Sequence, residues 1–203
     1  MIRLFFRCRI HSARPPLPPF LKGPDGKPYF APDSPYAELR FNISNSGAYE
    51  VLVISDTPVG IDLQRETLHY SPLKMAQRWF TGEETALLSS CPSEAEQRSV
   101  FFRLWTAREA YIKLTGEGLR RPLDSFRPDL AENVILAREN GHEETAAAIL
   151  PLIFPVSGYC AAVCSYAPVS AAPVWEPWTE TLWEQFLYAK SFSSYSSSAV
   201  TAM

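Results

Sequence analysis

The chain has 203 residues, 46% hydrophobic and 20% charged, with a formal net charge of -3. That length suits one sizeable domain or two small halves sharing a core. The slightly acidic balance excludes a globally basic nucleic-acid binder, though not local basic patches. No stretch of about 18 uninterrupted apolar residues occurs, so no membrane span is expected. The start, M-I-R-L-F-F-R-C-R-I, lacks the long apolar run and cleavage site of a signal peptide.

In chain order, residues 14–35 are rich in proline and glycine and read as loop. Residues 38–43 read as a strand, 44–47 as a turn, and 49–55 as a strong strand of β-branched and apolar residues. A turn at 56–58 leads into a second strand of that hairpin, 59–64. There Val59, Ile61 and Leu63 point one way and Gly60, Asp62 and Gln64 the other. Helical periodicity follows over 71–88, in two pieces broken near Thr81 and Gly82. The longest helix runs over about 94–115 and ends at Gly116. Beyond Pro122 the pattern is β-like at 133–138, 145–154 and 159–166. A proline-rich break at 168–177 precedes an amphipathic stretch, 179–188, and a Ser-rich tail, 191–203, expected to be disordered.

Four cysteines without a C-x-x-C pair, and three scattered histidines, argue against a zinc site. Cys160 and Cys164 share one face of a strand as small apolar residues, which fits a reducing cytoplasm.

Chemistry concentrates on two segments. On the long helix, Glu109 falls within a stripe of Phe101, Phe102, Trp105 and Ile112, with Lys113 one turn further along. A carboxylate among aromatic rings is costly unless a cation compensates it. A plain Glu109–Lys113 helical ion pair on a half-exposed edge satisfies that requirement. If instead the strand presents Asp62 to Glu109, two hard oxygen ligands meet, as magnesium requires when substrate phosphates and water supply the rest. The alternative for Asp62 is a solvent-facing strand position, and spacing leaves both open.

V-G-I-D (residues 59–62), followed by W-T-A-R-E-A-Y-I-K (105–113), resembles the paired signature of the 4′-phosphopantetheinyl transferases. G-K-P (26–28), F-N-I-S-N-S-G (41–47), G-E-G-L (116–119) and P-L-D-S-F (122–126) are similar to the larger subtype that activates peptide synthetases. The resemblance covers residues 23–165. It implies an α+β fold of two similar halves with pseudo-twofold symmetry and coenzyme A in the cleft between them. The expected division is a shortened N-terminal half (1–58), a half carrying the metal site (59–168) and a C-terminal extension (169–203).

The resemblance further implies a cytoplasmic, magnesium-dependent, monomeric transferase. It would move 4′-phosphopantetheine from coenzyme A to a serine of an acyl or peptidyl carrier protein, releasing adenosine 3′,5′-bisphosphate. Asp62, Glu109 and Gln64 would hold the metal, and Lys113 would contact the phosphates. Glu109 would take the serine proton. Lys27, Ser44, Asn45 and Lys113 would bind coenzyme A. Phosphoryl transfer of this kind needs alignment and charge neutralisation rather than covalent catalysis.

Three departures from the family pattern stand out: Gln64 replaces its third acidic residue, Asn45 its histidine, and the segment before Gly26 is short. They motivate the alternative of a non-catalytic homologue that binds coenzyme A or a carrier. A second alternative is a structural interaction module in which Glu109 and Lys113 merely solvate a helix. Lys74, Met75, Arg78 and Trp79, at helical spacing, are expected to dock the acidic helix of a carrier. The competing reading puts Met75 and Trp79 in the core of an amphipathic helix.

Overall fold

The computed structural model describes residues 2–10, 15, 17–67, 71–139, 142–169, 173–181, 184, 185 and 188. Its strands are β1 (Ile2–Cys8), β2 (Phe20–Lys22), β3 (Pro28–Phe30), β4 (Arg40–Ser46), β5 (Tyr49–Ser55) and β6 (Val59–Arg65). Three helices follow: α1 (Pro72–Trp79), α2 (Gly82–Ser89) and α3 (Glu94–Thr115). The remaining strands are β7 (Phe126–Asp129), β8 (Val134–Glu139), β9 (His142–Leu152), β10 (Tyr159–Ser165) and β11 (Trp175–Pro177). The fold is mixed α+β, with one sheet ordered β11-β1-β5-β4, a second ordered β6-β10-β9-β8-β7, and a small β2-β3 pair.

β5 reads as an almost unbroken apolar run because both of its faces are covered. Leu52 and Ile54 pack with Phe5, Phe41 and Trp178 on the outer side. Val51 and Val53 meet Ile61, Leu63 and Val163 of the second sheet. The opposite face of that second sheet carries α3, through Ala107, Ala110, Tyr111 and Leu114 against Ile135, Ile149, Ala162 and Cys164. Two sheets and one long helix thus form successive layers, each burying one apolar face against the next.

Several expectations change here. β6 is not the hairpin partner of β5; the chain crosses at 56–58 into the other sheet, where β6 pairs antiparallel with β10. The apolar face of β6 finds a better cover in the facing sheet than in an extension of its own. Ser44 is not in a turn: β4 runs through Ser46, and the turn to β5 is only Gly47 and Ala48. Residues 2–8, which carried no strand expectation, form β1 between β5 and β11. The loop expected at 14–35 contains the β2–β3 pair.

The helical pieces agree with their signals. Thr81 and Glu84 form a reciprocal capping box at the start of α2, Ser93 caps α3, and Gly116 ends it in the left-handed region at φ 80°. Within 179–188 the described residues 180, 181, 184, 185 and 188 are helical, and the tail 191–203 lies outside the described residues.

Candidate active site

The two sheets meet edge to edge at β4 and β6, and side chains make that junction. Asn42 Oδ1 accepts from the Ile61 N–H at 3.1 Å, Ser44 Oγ from the Leu63 N–H at 3.2 Å, and Ser46 Oγ from the Arg65 N–H at 2.9 Å. Every second residue of β4 thus stands in for the ladder carbonyl that β6 lacks on this edge. The N-x-S-x-S spacing follows from the period of two.

Asp62 sits on this seam at 1% exposure, so the solvent-facing alternative fails. Ser44 Oγ donates to Asp62 Oδ1 at 2.8 Å, and Lys113 Nζ donates to the same Oδ1 at 2.6 Å and to Ser44 Oγ at 2.8 Å. Gln64 Nε2 donates to Asp62 Oδ2 at 3.0 Å. The Ser44 hydroxyl therefore gives its proton to Asp62 and accepts from Lys113 and Leu63. Lys113 pairs with Asp62 across the seam, rather than simply with Glu109 along the helix.

Glu109 completes the group from α3. Its carboxyl is raised above the usual carboxylate range, first by burial and then by the negative charge of Asp62, with Lys113 pulling the other way. Two acids thus influence one another beside one lysine.

Gly60 permits the approach of β6 to α3. A Cβ there would stand 2.1 Å from the Ala110 carbonyl oxygen and 2.4 Å from the Leu114 nitrogen. Beside Glu109, Arg108 is buried at 1% exposure and ion-paired to Glu84, with Nε–Oε1 at 2.9 Å. The rings of Phe80 and Phe126 lie 5.2 and 5.1 Å from its guanidinium carbon. Arg108 thereby ties α2 to α3. Sequence reading missed both residues. The T-x-x-E capping box was visible, but Glu84's partner across 24 residues was not.

The other expected residues lie apart from Asp62. Lys27 Nζ donates to the Leu114 carbonyl at 2.7 Å and, more weakly, to the Val59 carbonyl at 3.4 Å; burial lowers its pKa to about 8. It lines a pocket of about 300 Å³ with Pro28, Arg40, Thr115 and Gly116. Asn45 alternates away from Ser44 and accepts from Arg9 Nη1 at 3.1 Å. On α1, Lys74, Arg78 and Trp79 are exposed, and Met75 packs partly against the cluster of Phe101, Phe102 and Leu104. The core reading therefore holds in part for Met75 and fails for Trp79, which is 39% exposed with the Arg78 guanidinium over its ring. Cys160 and Cys164 both face α3, near Thr106 and Ala107.

The model of the 4′-phosphopantetheinyl transferase superfamily matches residues 58–164, more than half of the 203. The chain belongs to that superfamily. It is 38% identical over 137 residues to a 4′-phosphopantetheinyl transferase of Bacillus pumilus, covering 67% of this chain and 57% of that protein. A second, from Aneurinibacillus migulanus, is 34% identical over 146 residues, 72% of this chain and 57% of its own. The 4′-phosphopantetheinyl transferase Sfp of Bacillus subtilis is 40% identical over 101 residues, 50% of this chain and 42% of its own. The chain thus spans about half the length of the curated relatives it matches. The matched region contains Gly60, Asp62, Arg108, Glu109 and Lys113. Among the described residues no helix is long and apolar enough to cross a membrane.

Proposed function

We propose that this chain transfers 4′-phosphopantetheine from coenzyme A to a serine of an acyl or peptidyl carrier protein, with magnesium, and releases adenosine 3′,5′-bisphosphate. The observation that carries the reading is the seam cluster of Asp62, Ser44 and Lys113 facing Glu109, in a chain of this superfamily.

The donor set suits a hard divalent ion. Among the described residues no group of three His, Cys, Asp or Glu gathers, so the reading rests on Asp62 beside Gln64, with Glu109 near enough to feel its charge, and on a cation whose shell substrate phosphates complete. Magnesium held by Asp62, Glu109 and the Gln64 amide oxygen would offset the charge that the pyrophosphate gathers during transfer. The protein's own residues do the rest. Lys113, oriented by Ser44 and Asp62, meets the phosphate oxygens as a positioned cation. Glu109, whose carboxyl holds protons more tightly than usual, accepts the proton of the carrier serine. The serine oxygen bonds to the β-phosphorus as the bond to the adenosine bisphosphate breaks.

Lys27 and its pocket receive the adenine nucleotide, with Ser44 and Asn45 at the phosphate end. Lys74, Met75, Arg78 and Trp79 receive the carrier. In this reading residues 1–58 belong to the N-terminal half and 59–168 form the half with the metal site. They are related by pseudo-twofold symmetry and followed by an extension, and the enzyme acts as a cytoplasmic monomer. β1, β4 and β5 lying in one sheet and β6–β10 in the other support the boundary near residue 58, whereas β11 of the extension joins the first sheet beside β1.

The test is incubation with coenzyme A, magnesium and a panel of apo-carriers, read by intact mass. Wild type should add one phosphopantetheine to at least one carrier, and Asp62→Asn and Glu109→Gln should nearly abolish the gain while the protein stays folded at the assay temperature. Wild-type turnover in either variant refutes the site. Gln64 and Asn45, at positions where the family carries an acid and a histidine, favour a second reading as a non-catalytic binder. Carrier binding without any transfer would establish it.

A further inference from the structure

We propose that Arg108 is a positioning residue: paired with Glu84, it holds the elbow between α1 and α2 in a fixed place beside α3, so that α1 can receive the carrier. The proposal rests on the carrier reading above, in which α1 is the docking surface.

Neither member of the pair is open to substrate, at 1% exposure for Arg108 and 3% for Glu84. Arg108 Nε donates to Glu84 Oε1 at 2.9 Å, its Nη2 donates to Oε2, and its Nη1 donates to the Leu123 carbonyl at 2.5 Å. Glu84 Oε2 also accepts from the Thr81 N–H and from the Thr81 hydroxyl, both at 2.8 Å. All three guanidinium nitrogens and both carboxylate oxygens are thus engaged inside the protein. What they hold is the elbow. Phe80 closes α1, where its N–H donates to the Ala76 carbonyl at 2.8 Å. Its ring lies 5.2 Å from the Arg108 guanidinium carbon and stacks on Phe101 of α3 at 5.1 Å. Thr81 caps α2. The last residue of one helix and the first of the next therefore both rest on the pair.

The attachment of α1 is otherwise thin. It has eight residues, and isolated helices shorter than about 12–15 residues are marginal in water. Ser71 gives it no side-chain cap, and only Pro72 and Ala76 are fully buried. Its Lys74, Arg78 and Trp79 are exposed. α2 has two fully buried side chains, Glu84 and Leu88, and one of them is a carboxylate. Desolvation offsets much of the attraction in a buried ion pair, and apolar residues of similar size are often as stable in its place. What apolar residues do not reproduce is direction: a guanidinium fork fixes the distance and angle of its carboxylate. Stability alone gives no reason for charges here, whereas placing a thinly attached helix does.

The experiment compares wild type, Arg108→Lys, and the double variant Arg108→Met with Glu84→Met. Each is read by urea denaturation, carrier KM and kcat from intact mass, coenzyme A affinity by calorimetry, and hydrogen exchange of amides 75–80. The double variant should keep a urea midpoint near wild type and an unchanged affinity for coenzyme A. Its carrier KM should nevertheless rise on the order of tenfold, the loss of roughly one good interface contact. Its α1 amides should exchange faster while those of α3 do not. Arg108→Lys, which keeps the charge but not the fork, should shift KM and α1 exchange in the same direction. Wild-type KM and α1 exchange in a stable double variant would overturn the proposal. If the double variant does not fold, Arg108→Lys decides, and unchanged values there overturn it. If wild type loads no carrier, the carrier reading fails and α1 exchange decides the anchoring: faster exchange supports it, unchanged exchange refutes it.

Discussion

Adding one methyl group at Gly60 tests whether the close approach of β6 and α3 sets the site. In Gly60→Ala the new Cβ would meet two backbone atoms of α3 at 2.1 and 2.4 Å, where ordinary contact begins near 3.4 Å. Neither atom is the end of a flexible side chain, so strand and helix must separate by roughly 1 Å. Overpacking costs about 1–3 kcal/mol in cores that can adjust, and a rigid backbone clash belongs at or above about 3 kcal/mol. Against a net stability of about 5–15 kcal/mol, that is a large share. The same separation moves Asp62 away from Glu109, and about 1 Å of misplacement can cost on the order of 100-fold in rate. Urea denaturation should show a lower midpoint, and carrier loading should fall further than the unfolded fraction explains. Gly82→Ala is the control, because a Cβ there meets nothing within 4 Å, and it should be neutral or slightly stabilising. Stability within about 0.5 kcal/mol of wild type, together with unchanged loading, would refute the reasoning.

Other predictions address separate links. Glu84→Gln leaves the buried Arg108 charge uncompensated, and should cost about 3–5 kcal/mol in chemical denaturation. Arg108→Met with Glu84→Met should recover much of that loss. Lys27 titrates at about 8 when folded, below the ordinary 10.5 of a solvated lysine, so the unfolded chain binds that proton more tightly. Its penalty on stability is full below pH 8 and fades as pH rises from about 8 to 10.5, and Lys27→Met should flatten that part of the stability profile. Because the ammonium is the form that attracts phosphate, calorimetric affinity for coenzyme A should also fall above about pH 8, and do so less in Lys27→Met. Lys74→Glu and Arg78→Glu should raise the carrier KM, flatten its salt dependence and leave coenzyme A affinity unchanged. Equal carrier kinetics would move the docking surface elsewhere.

Local signals were legible wherever the chain's own neighbours decide the structure. The helix break near Thr81, the Gly116 stop and the shared face of Val59, Ile61 and Leu63 follow from backbone geometry within a few residues, and each appears where its residues predict it. The pairing of Asp62 with the Glu109–Lys113 helix came from a resemblance carried by short motifs, while spacing alone left a solvent-facing Asp62 open. Tertiary structure decided what depends on distant partners. Whether β6 joins β5 or β10 turns on which sheet can cover Ile61 and Leu63, and no window around residues 59–64 contains that answer. The fate of Ser44 was hidden for the same reason: its hydroxyl serves Asp62, Leu63 and Lys113, all distant from it in sequence and met only at the seam. Arg108 and Glu84 are unremarkable helix residues until packing removes their water, and only then does each require the other. The sequence alone thus determined the local elements and the residue types that chemistry needs. Burial and long-range pairing determined which of those residues face one another.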